Sequence, residues 1–134
     1  MAIISSHILD SINGVSAIGV RSQLFRIGSD GSRINLFDIE TDNEGRISEL
    51  VVLKRDEEMG QDGEEYELVF HSAAYFSTQV APQENPQAPP EAISEQSSPV
   101  MRTVVIRFSM IDPDKRYHMP VMLAPYSYSV WWSR

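Results

Sequence analysis

The sequence predicts an all-β sandwich, and two observations support that fold class. Short runs rich in β-branched and aromatic residues recur along the chain, separated by clusters of glycine, asparagine and aspartate. Only residues 72–76 have the character of a helix, and that segment is short. A chain of short strands and turns buries its apolar faces by packing one sheet on another. With 134 residues, the chain is expected to fold as a single domain over residues 1–134.

The first half of the chain alternates predicted strands with predicted turns. Segments that are rich in β-forming residues and bounded by turn residues cover positions 8–10, 19–27, 34–41 and 48–53. Turns that contain glycine or asparagine separate these segments at positions 13–14, 29–32 and 42–45. Glycine favours such turns because it adopts a positive φ angle at no steric cost. The charged stretch at 54–65 is expected to be a loop that faces solvent.

The second half begins with a predicted strand at 66–70 and the short helix, which Ser72 can cap. From about residue 78 to residue 99 the chain is rich in proline and glutamine and has few apolar side chains, which predicts a mobile surface loop. Residues 104–110 alternate apolar and polar side chains most regularly and predict a strand. A turn and a final hairpin of two strands follow, with Pro120 expected at an edge or a bulge.

The composition excludes several classes of partner and site. A net charge of −8 argues against nucleic acid and anionic membranes as partners. With no cysteine and three histidines, the chain is a poor source of metal ligands, so neither a metal nor a cofactor is expected. No segment has the length of a membrane span and no targeting signal is recognisable, which predicts a cytoplasmic protein. An anionic small substrate would need a local arginine to overcome the overall negative field.

Three residues at strand ends or beside turns are candidates for chemistry: His7, Arg46 and His118. Histidine titrates near neutral pH and arginine binds anions, so the set suits acid–base work on an anionic substrate. Taken singly, however, a histidine is more often a satisfied surface or core residue, and an arginine after a turn is usually solvated. Spacing alone therefore leaves the role of these residues open.

Five motifs in order along nearly the whole chain are Ser5-Ser6-His7-Ile8-Leu9-Asp10, Thr41-Asp42-Asn43-Glu44-Gly45-Arg46, Tyr66-Glu67-Leu68-Val69-Phe70, Tyr117-His118-Met119-Pro120 and Leu123-Ala124-Pro125-Tyr126-Ser127-Tyr128-Ser129. Together they resemble the 5-hydroxyisourate hydrolase branch of the transthyretin-like family. The resemblance implies two packed antiparallel sheets with one short helix. It also implies a homotetramer with active sites in a channel between subunits.

The resemblance further implies a metal-independent enzyme that hydrolyses the ring amide of a small oxidised purine in urate breakdown. The family's catalytic histidines and arginine fall on His7, His118 and Arg46. One histidine would deprotonate water, and the other would position the water or return a proton to the leaving nitrogen. Arg46 would hold the anionic ring and offset charge on the attacked carbonyl oxygen. The carrier branch of the family lacks this trio.

The C-terminal tail departs from the family pattern. The hydrolases typically end in Tyr-Arg-Gly-Ser, whereas this chain ends in Trp131-Trp132-Ser133-Arg134. So aromatic an end is expected to be covered by the chain's own core or by another subunit. The residues expected to bind the substrate are Tyr117, Ser129, Trp131, Trp132 and Arg134.

The changed tail leaves two alternatives open. One is a repurposed enzyme that carries out hydrolysis, isomerisation or cyclisation on a larger aromatic heterocycle in specialised metabolism. The other is a non-catalytic transthyretin-like protein that binds a flat ligand in an aromatic channel, since indole rings favour stacking on flat molecules.

Overall fold

The computed structural model describes residues 1–53, 64–78 and 100–133, which form two β-sheets and one short helix. The strands, in chain order, are β1 (Ala2–Asp10), β2 (Val15–Ser16), β3 (Arg21–Ile27), β4 (Arg33–Glu40), β5 (Arg46–Val51), β6 (Glu64–Phe70), β7 (Val104–Met110), β8 (Arg116–His118), β9 (Val121–Ala124) and β10 (Ser127–Val130). The helix α1 (Ser72–Thr78) follows β6. The all-β sandwich with one short helix is thereby confirmed. Beyond Thr78, the loop predicted at about 78–99 lies outside the described residues.

Strand β1 is the centre of the six-stranded sheet, because other strands pair with both of its edges. Ile3 is paired with Leu50 of β5 on one side and with Arg116 of β8 on the other. Near its end, β1 pairs in the same way with β2 and β9, and β10 pairs with β9. Side chains of β1 are therefore adjacent to side chains from four other strands.

The pairing is antiparallel except where β1 runs parallel to β8 and β9. The chain enters β8 beside the start of β1, where the Ile3 amide donates to the Lys115 carbonyl at 3.0 Å, so both strands run away from the same end of the sheet. β8 and β9 keep one register with β1 but are interrupted at Pro120, which has no N–H to donate. Pro120 was expected at an edge or a bulge, and it lies instead in the gap between β8 and β9.

The second sheet has four strands in the order β4-β3-β6-β7, all antiparallel. Both sheets contribute to one hydrophobic core. Ile4 and Ile8 of β1 are fully buried, as are Leu24 of β3 and Tyr66 and Phe70 of β6. Burying an apolar side chain of this size contributes about 1.5–3 kcal/mol. One face of β1 is therefore committed to the core, and the other face is left for the site.

The end of β1 is joined to α1 by a buried carboxylate. Asp10 is 1% exposed and accepts hydrogen bonds from the amides of Ile12 and Asn13 at 2.9 Å and from the Tyr75 hydroxyl at 2.8 Å. Burial alone would raise the pKa of Asp10, but these hydrogen bonds outweigh it and lower the pKa below the ordinary value. The contact fixes the strand that carries the candidate site.

Candidate active site

His7 lies on the face of the six-stranded sheet that is turned away from the core. The next residue, Ile8, is fully buried, and successive side chains of a strand point to opposite faces. His7 is paired directly with Arg46 of β5, and Ser5 is paired with His118 of β8. Paired residues share a face of the sheet, and neighbouring strands lie about 4.8 Å apart. The fold thus brings the three predicted catalytic residues together on one face of three adjacent strands.

A tight turn holds the backbone of Arg46 at the start of β5. One carboxylate oxygen of Asp42 accepts the amide hydrogens of Glu44 and Arg46, both at 2.9 Å. The Asp42 amide donates in turn to the Arg46 carbonyl at 3.0 Å. The backbone hydrogen bonds from Arg46 and Glu44 lower the pKa of Asp42, so the carboxylate stays charged and keeps accepting them.

Gly45 is required by this turn for two reasons. Its φ angle is 73°, which residues other than glycine rarely adopt. A Cβ atom at this position would lie 2.7 Å from the Ile8 carbonyl oxygen. The Gly45 carbonyl also accepts the Ile8 amide hydrogen at 2.8 Å. The glycine therefore lets the turn approach β1 closely and delivers Arg46 next to His7.

His118 is held at both its side chain and its backbone. Its Nδ1 atom lies 2.8 Å from Ser5 Oγ, and its carbonyl accepts the Ser133 amide hydrogen at 2.9 Å. Burial lowers the pKa of His118, and the positive charges of Arg46 and Arg116 lower it further. The imidazole is therefore neutral at neutral pH and can accept a proton.

His7 is half-buried, and its Nε2 atom lies 3.1 Å from Ser16 Oγ of β2. The charge of His7 also acts to lower the pKa of His118. The third histidine, His71, lies away from this site: its Nε2 atom is 2.6 Å from Gln23 Oε1 on the four-stranded sheet. His71 is therefore a control histidine that lies outside the candidate site.

A cavity of about 310 Å³ opens at this face and is lined by Arg46, Arg116, His118 and Ser133. The sequence reasoning missed Arg116 and Ser133. Arg116 could have been found, because it lies two positions before His118 in a strand and so shares its face. Ser133 could not, because its place depends on how the tail folds back to bridge with His118.

Tyr117, one of the predicted substrate-binding residues, faces the core. It is 7% exposed, and its hydroxyl accepts the amide hydrogens of Ile111 and Asp112 at 3.2 and 3.0 Å. Trp132 stacks on the Tyr117 ring with 6.4 Å between ring centres, and Lys115 Nζ lies 4.9 Å from the Trp132 ring centre. Neither aromatic residue lines the cavity.

The remaining predicted substrate-binding residues are Ser129, Trp131 and Arg134. Ser129 is exposed on β10, where it is paired with Met122 of β9. Trp131 is 45% exposed, and its amide donates to the Pro120 carbonyl at 3.4 Å. Arg134 lies outside the described residues. The binding role of all five residues stays a prediction.

No group of three or more histidine, aspartate or glutamate side chains with metal-ligand geometry occurs in the part of the chain that the structure describes. Within the same ranges, no helix has the length and hydropathy needed to cross a membrane.

The two-sheet sandwich, with two histidines and an arginine on the outer face of the six-stranded sheet, contributed by its central strand and the strands on either side, defines a transthyretin-like protein. The chain belongs to the HIUase/Transthyretin family, which it matches over residues 4–132. The family resemblance drawn from the sequence motifs is thereby confirmed.

Relatives and solved structures agree with this family. The chain is 32% identical over 128 residues to the 5-hydroxyisourate hydrolase of Deinococcus radiodurans, covering 96% of this chain and 92% of that protein. The structure of Klebsiella pneumoniae 5-hydroxyisourate hydrolase is similar over 100% of both chains, with a TM-score of 0.69 and 23% identity, which shows the fold alone. The crystal structure of (S)-allantoin synthase is similar over 99% of this chain, with a TM-score of 0.68 and 25% identity, and this chain spans 44% of its length.

Proposed function

We propose that this protein is a 5-hydroxyisourate hydrolase, an enzyme that directs water onto a ring amide of a small oxidised purine in urate breakdown. One observation carries the proposal: His7, Arg46 and His118 share one face of one sheet, and two of them line the same cavity. The 32% identity to a relative of that name, over nearly the whole chain, supports it.

His118 acts as the general base in this proposal. Its lowered pKa keeps the imidazole neutral at neutral pH, which is the form that accepts a proton. In the active tautomer the Nδ1–H group donates to Ser5 Oγ, and Nε2 takes a proton from water. The water oxygen attacks the ring carbonyl carbon, the carbon–nitrogen bond breaks, and the carbonyl carbon ends as a carboxylate.

Arg46 supplies the positive charge that the substrate and the transition state need. Its side chain is 49% exposed, and its contact with Glu44 is long at 3.9 Å, so the charge is weakly neutralised. A guanidinium next to the attacked carbonyl stabilises the developing oxyanion, and its fork of N–H groups binds an anionic ring. Arg46 also explains how a chain with net charge −8 binds an anion.

His7 returns a proton to the leaving nitrogen. It is paired with Arg46 and lies two positions after Ser5, which is paired with His118, so the three side chains share one face of the sheet. The Ser16 hydroxyl near Nε2 orients the His7 ring. With two histidines in one site, a proton leaves the water on one side of the ring and reaches the nitrogen on the other.

The proposal includes a homotetramer in which the outer face of the six-stranded sheet lines a channel. Leu50 is 64% exposed and Met122 is 40% exposed, and both belong to this face because they are paired with Ile3 and Leu9 of β1. Apolar side chains grouped on one face mark an interaction surface. Light scattering at micromolar concentration is expected to give a tetramer, and a monomer would contradict this part of the proposal.

A matched pair of variants tests which face is covered. Leu50→Glu is expected to dissociate the tetramer, because it puts a charge on the exposed apolar face of the six-stranded sheet. Ile34→Glu, on the four-stranded sheet, changes a residue that is 55% exposed and is expected to leave the assembly intact. Equal behaviour of the two variants would show that the six-stranded sheet is not the interface.

The organisation and location follow from the same reasoning. Residues 1–134 form one domain, which the shared core of the two sheets supports. We infer that the protein acts in the cytoplasm on a small heterocycle. Its net charge of −8 argues against nucleic acid or an anionic membrane as partner.

A repurposed enzyme acting on a larger aromatic heterocycle is the second candidate. The observation that favours it is the tail, where Trp131 is 45% exposed two positions before Ser133, which lines the cavity. The Trp131 indole ring offers a stacking surface to a flat molecule, whereas the Trp132 ring already stacks on Tyr117. Turnover of larger heterocycles without acceleration of 5-hydroxyisourate decay would favour this candidate, and tight binding without turnover would favour a ligand-binding protein.

The deciding experiment follows the ultraviolet decay of freshly generated 5-hydroxyisourate against its spontaneous rate. The wild-type protein is expected to accelerate the decay, and His118→Ala is expected to reduce kcat/KM by about 10²- to 10⁴-fold, the usual contribution of a general base. His71→Ala, the control, removes a histidine from the other sheet and leaves the rate within about 3-fold of wild type, as for a residue outside the chemistry. No acceleration by the wild-type protein would sink the hydrolase assignment.

A further inference from the structure

Arg116 lines the cavity together with Arg46 and His118, and neither the sequence motifs nor the proposed mechanism uses it. It is exposed at the start of β8, two positions before His118, and is paired with Ile3 of β1. Two guanidiniums therefore converge on one cavity. Arginines that share a cavity repel each other unless a negative charge lies between them.

Among the described residues, carboxylates supply little of that negative charge. None of the ion pairs formed by the described residues includes Arg116, and the contact between Arg46 and Glu44 is 3.9 Å long. The chain has 19 acidic residues against 11 basic ones, so two cations without close carboxylates are not a consequence of composition. A bound anion can supply the missing negative charge.

We propose that Arg116 and Arg46 form a two-arginine clamp that makes the cavity select anionic heterocycles over neutral ones of the same shape, with Arg116 as a substrate-binding residue. Its relevance to turnover rests on the proposed hydrolase function. A planar ring that carries its negative charge over several oxygen and nitrogen atoms can accept N–H groups from both arginines, because a guanidinium presents a fork of donors.

The clamp is tested by equilibrium binding, which needs no turnover. The probes are urate, a flat purine that is an anion at neutral pH, and hypoxanthine, a flat purine that is neutral there, titrated by calorimetry. Wild-type protein is expected to prefer urate. Arg116→Gln is expected to weaken urate binding by about 10- to 100-fold, the effect of losing a charge-assisted hydrogen bond, and to leave hypoxanthine binding within about 2-fold.

Two further variants separate the role of the side chain from that of net charge. Arg107→Gln makes the same change of charge on the four-stranded sheet, where Arg107 pairs with Glu65 and Glu67, and is expected to leave both affinities unchanged. Arg116→Lys keeps the charge and loses the fork, so urate affinity is expected to lie between those of wild type and Arg116→Gln.

The pH profile of 5-hydroxyisourate turnover gives a second readout. The charge of Arg116 helps to keep the pKa of His118 low, so removing the charge raises that pKa. Arg116→Gln is therefore expected to move the acid limb of kcat/KM to higher pH, whereas Arg116→Lys leaves it in place. If Arg116 had only a structural role, the acid limb of Arg116→Gln would stay at the same pH as that of the wild-type protein.

The experiments distinguish failure of the clamp from failure of the hydrolase assignment. A protein that fails to accelerate 5-hydroxyisourate decay but binds urate in an Arg116-dependent way retains the clamp and loses the proposed reaction. Equal urate affinity of wild type and Arg116→Gln would overturn the clamp. So would equal binding of urate and hypoxanthine, or failure of urate to bind the wild-type protein.

Discussion

The two sheets differ in how closely their arginines are paired with carboxylates. In the four-stranded sheet, each arginine of the described strands has a carboxylate partner, with nitrogen–oxygen distances of 2.6 to 3.3 Å; the pairs are Arg21–Asp38, Arg26–Glu64, Arg33–Glu67 and Arg107–Glu67. On the outer face of the six-stranded sheet, the contact of Arg46 with Glu44 is 3.9 Å long, and no ion pair of the described residues includes Arg116. Paired arginines stabilise a surface, whereas poorly neutralised ones keep their charge for a ligand.

Removing one arginine from each sheet gives the sharpest test of this difference. Arg46→Gln is expected to lower kcat/KM for 5-hydroxyisourate by about 10²- to 10³-fold, because the developing oxyanion loses its charge partner. Arg21→Gln breaks the exposed pair with Asp38 and is expected to cost about 0–1 kcal/mol of unfolding free energy without changing turnover. Stopped-flow absorbance and urea unfolding measure the two effects.

The two variants are expected to change different properties, one activity and the other stability. The reverse result would contradict the proposed difference between the two sheets. Arg46→Gln should change activity with little change in stability, and Arg21→Gln should do the opposite. If both variants lost the same small amount of activity, the arginine on the six-stranded sheet would be a surface residue like its counterpart.

Local patterns in the sequence were enough to predict most of this architecture. The alternation of apolar residues and the glycine turns predicted the strands, because the order of apolar and polar residues within a strand indicates which of its side chains are buried. The parallel pairing of β1 with β8 and β9 was not predicted, because no local pattern encodes strand direction. Direction follows from where the chain re-enters the sheet, which is a property of the whole fold.

The candidate site was predicted only in part, for a related reason. His7, Arg46 and His118 were found through motifs, whereas Arg116 belongs to no motif and became visible only as a wall of the cavity. Tyr117 was named with His118, yet adjacent residues of a strand face opposite sides of the sheet, and the Tyr117 ring is in the core. The positions of Trp132 and Ser133 depend on tertiary contacts of the tail.

The turn that delivers Arg46 can be compared with a turn of the other sheet. Gly45→Ala combines a positive φ angle with a Cβ atom 2.7 Å from the Ile8 carbonyl, and is expected to lower the unfolding free energy by about 1–3 kcal/mol. Gly31→Ala, in the turn between β3 and β4, has a similar φ angle of 83° but nothing within 4 Å, so it is expected to lose about 1 kcal/mol.

Activity distinguishes the two glycines further. Since the Gly45 turn sets the position of Arg46, Gly45→Ala is expected to lower kcat/KM even under conditions where the protein remains folded. Gly31→Ala is expected to retain full activity. Equal losses of stability and activity in both variants would show that the close approach at Gly45 is relaxed at no cost.

Ser5 and Ser22 offer a smaller test of the same division. Ser5 Oγ lies 2.8 Å from His118 Nδ1, whereas Ser22 Oγ donates to the Val20 carbonyl within the four-stranded sheet at 3.1 Å. Ser5→Ala is expected to lower kcat/KM by about 3- to 10-fold, the value of one neutral hydrogen bond that orients the ring. Ser22→Ala is expected to change stability alone. An unchanged pH profile and rate in Ser5→Ala would remove Ser5 from the orientation of His118.

The smallest effect concerns His118 and His71, whose pKa values are both lowered, first by burial. At His71 the charge of Arg21 lowers the pKa further, but Asp38 opposes it. At His118 the charges of Arg46, Arg116 and His7 all act in the lowering direction. The difference in arginine pairing thus affects the pKa of the nearby histidine: a carboxylate opposes the arginine charge at His71, whereas no carboxylate is among the causes of the shift at His118.

This lowering has a defined consequence for the stability of the protein. In the unfolded chain His118 has the ordinary pKa of about 6.5, so below that pH the unfolded state binds more protons than the folded state. The unfolding free energy is therefore expected to fall as pH decreases from 7.5 to 5.5. His118→Gln should lose less stability over that range than wild type, and Arg46→Gln should lie between them because its His118 pKa is less depressed. Urea unfolding at the two pH values measures the slopes. A wild-type slope equal to that of His118→Gln would mean that the unneutralised arginines do not hold His118 in its neutral form.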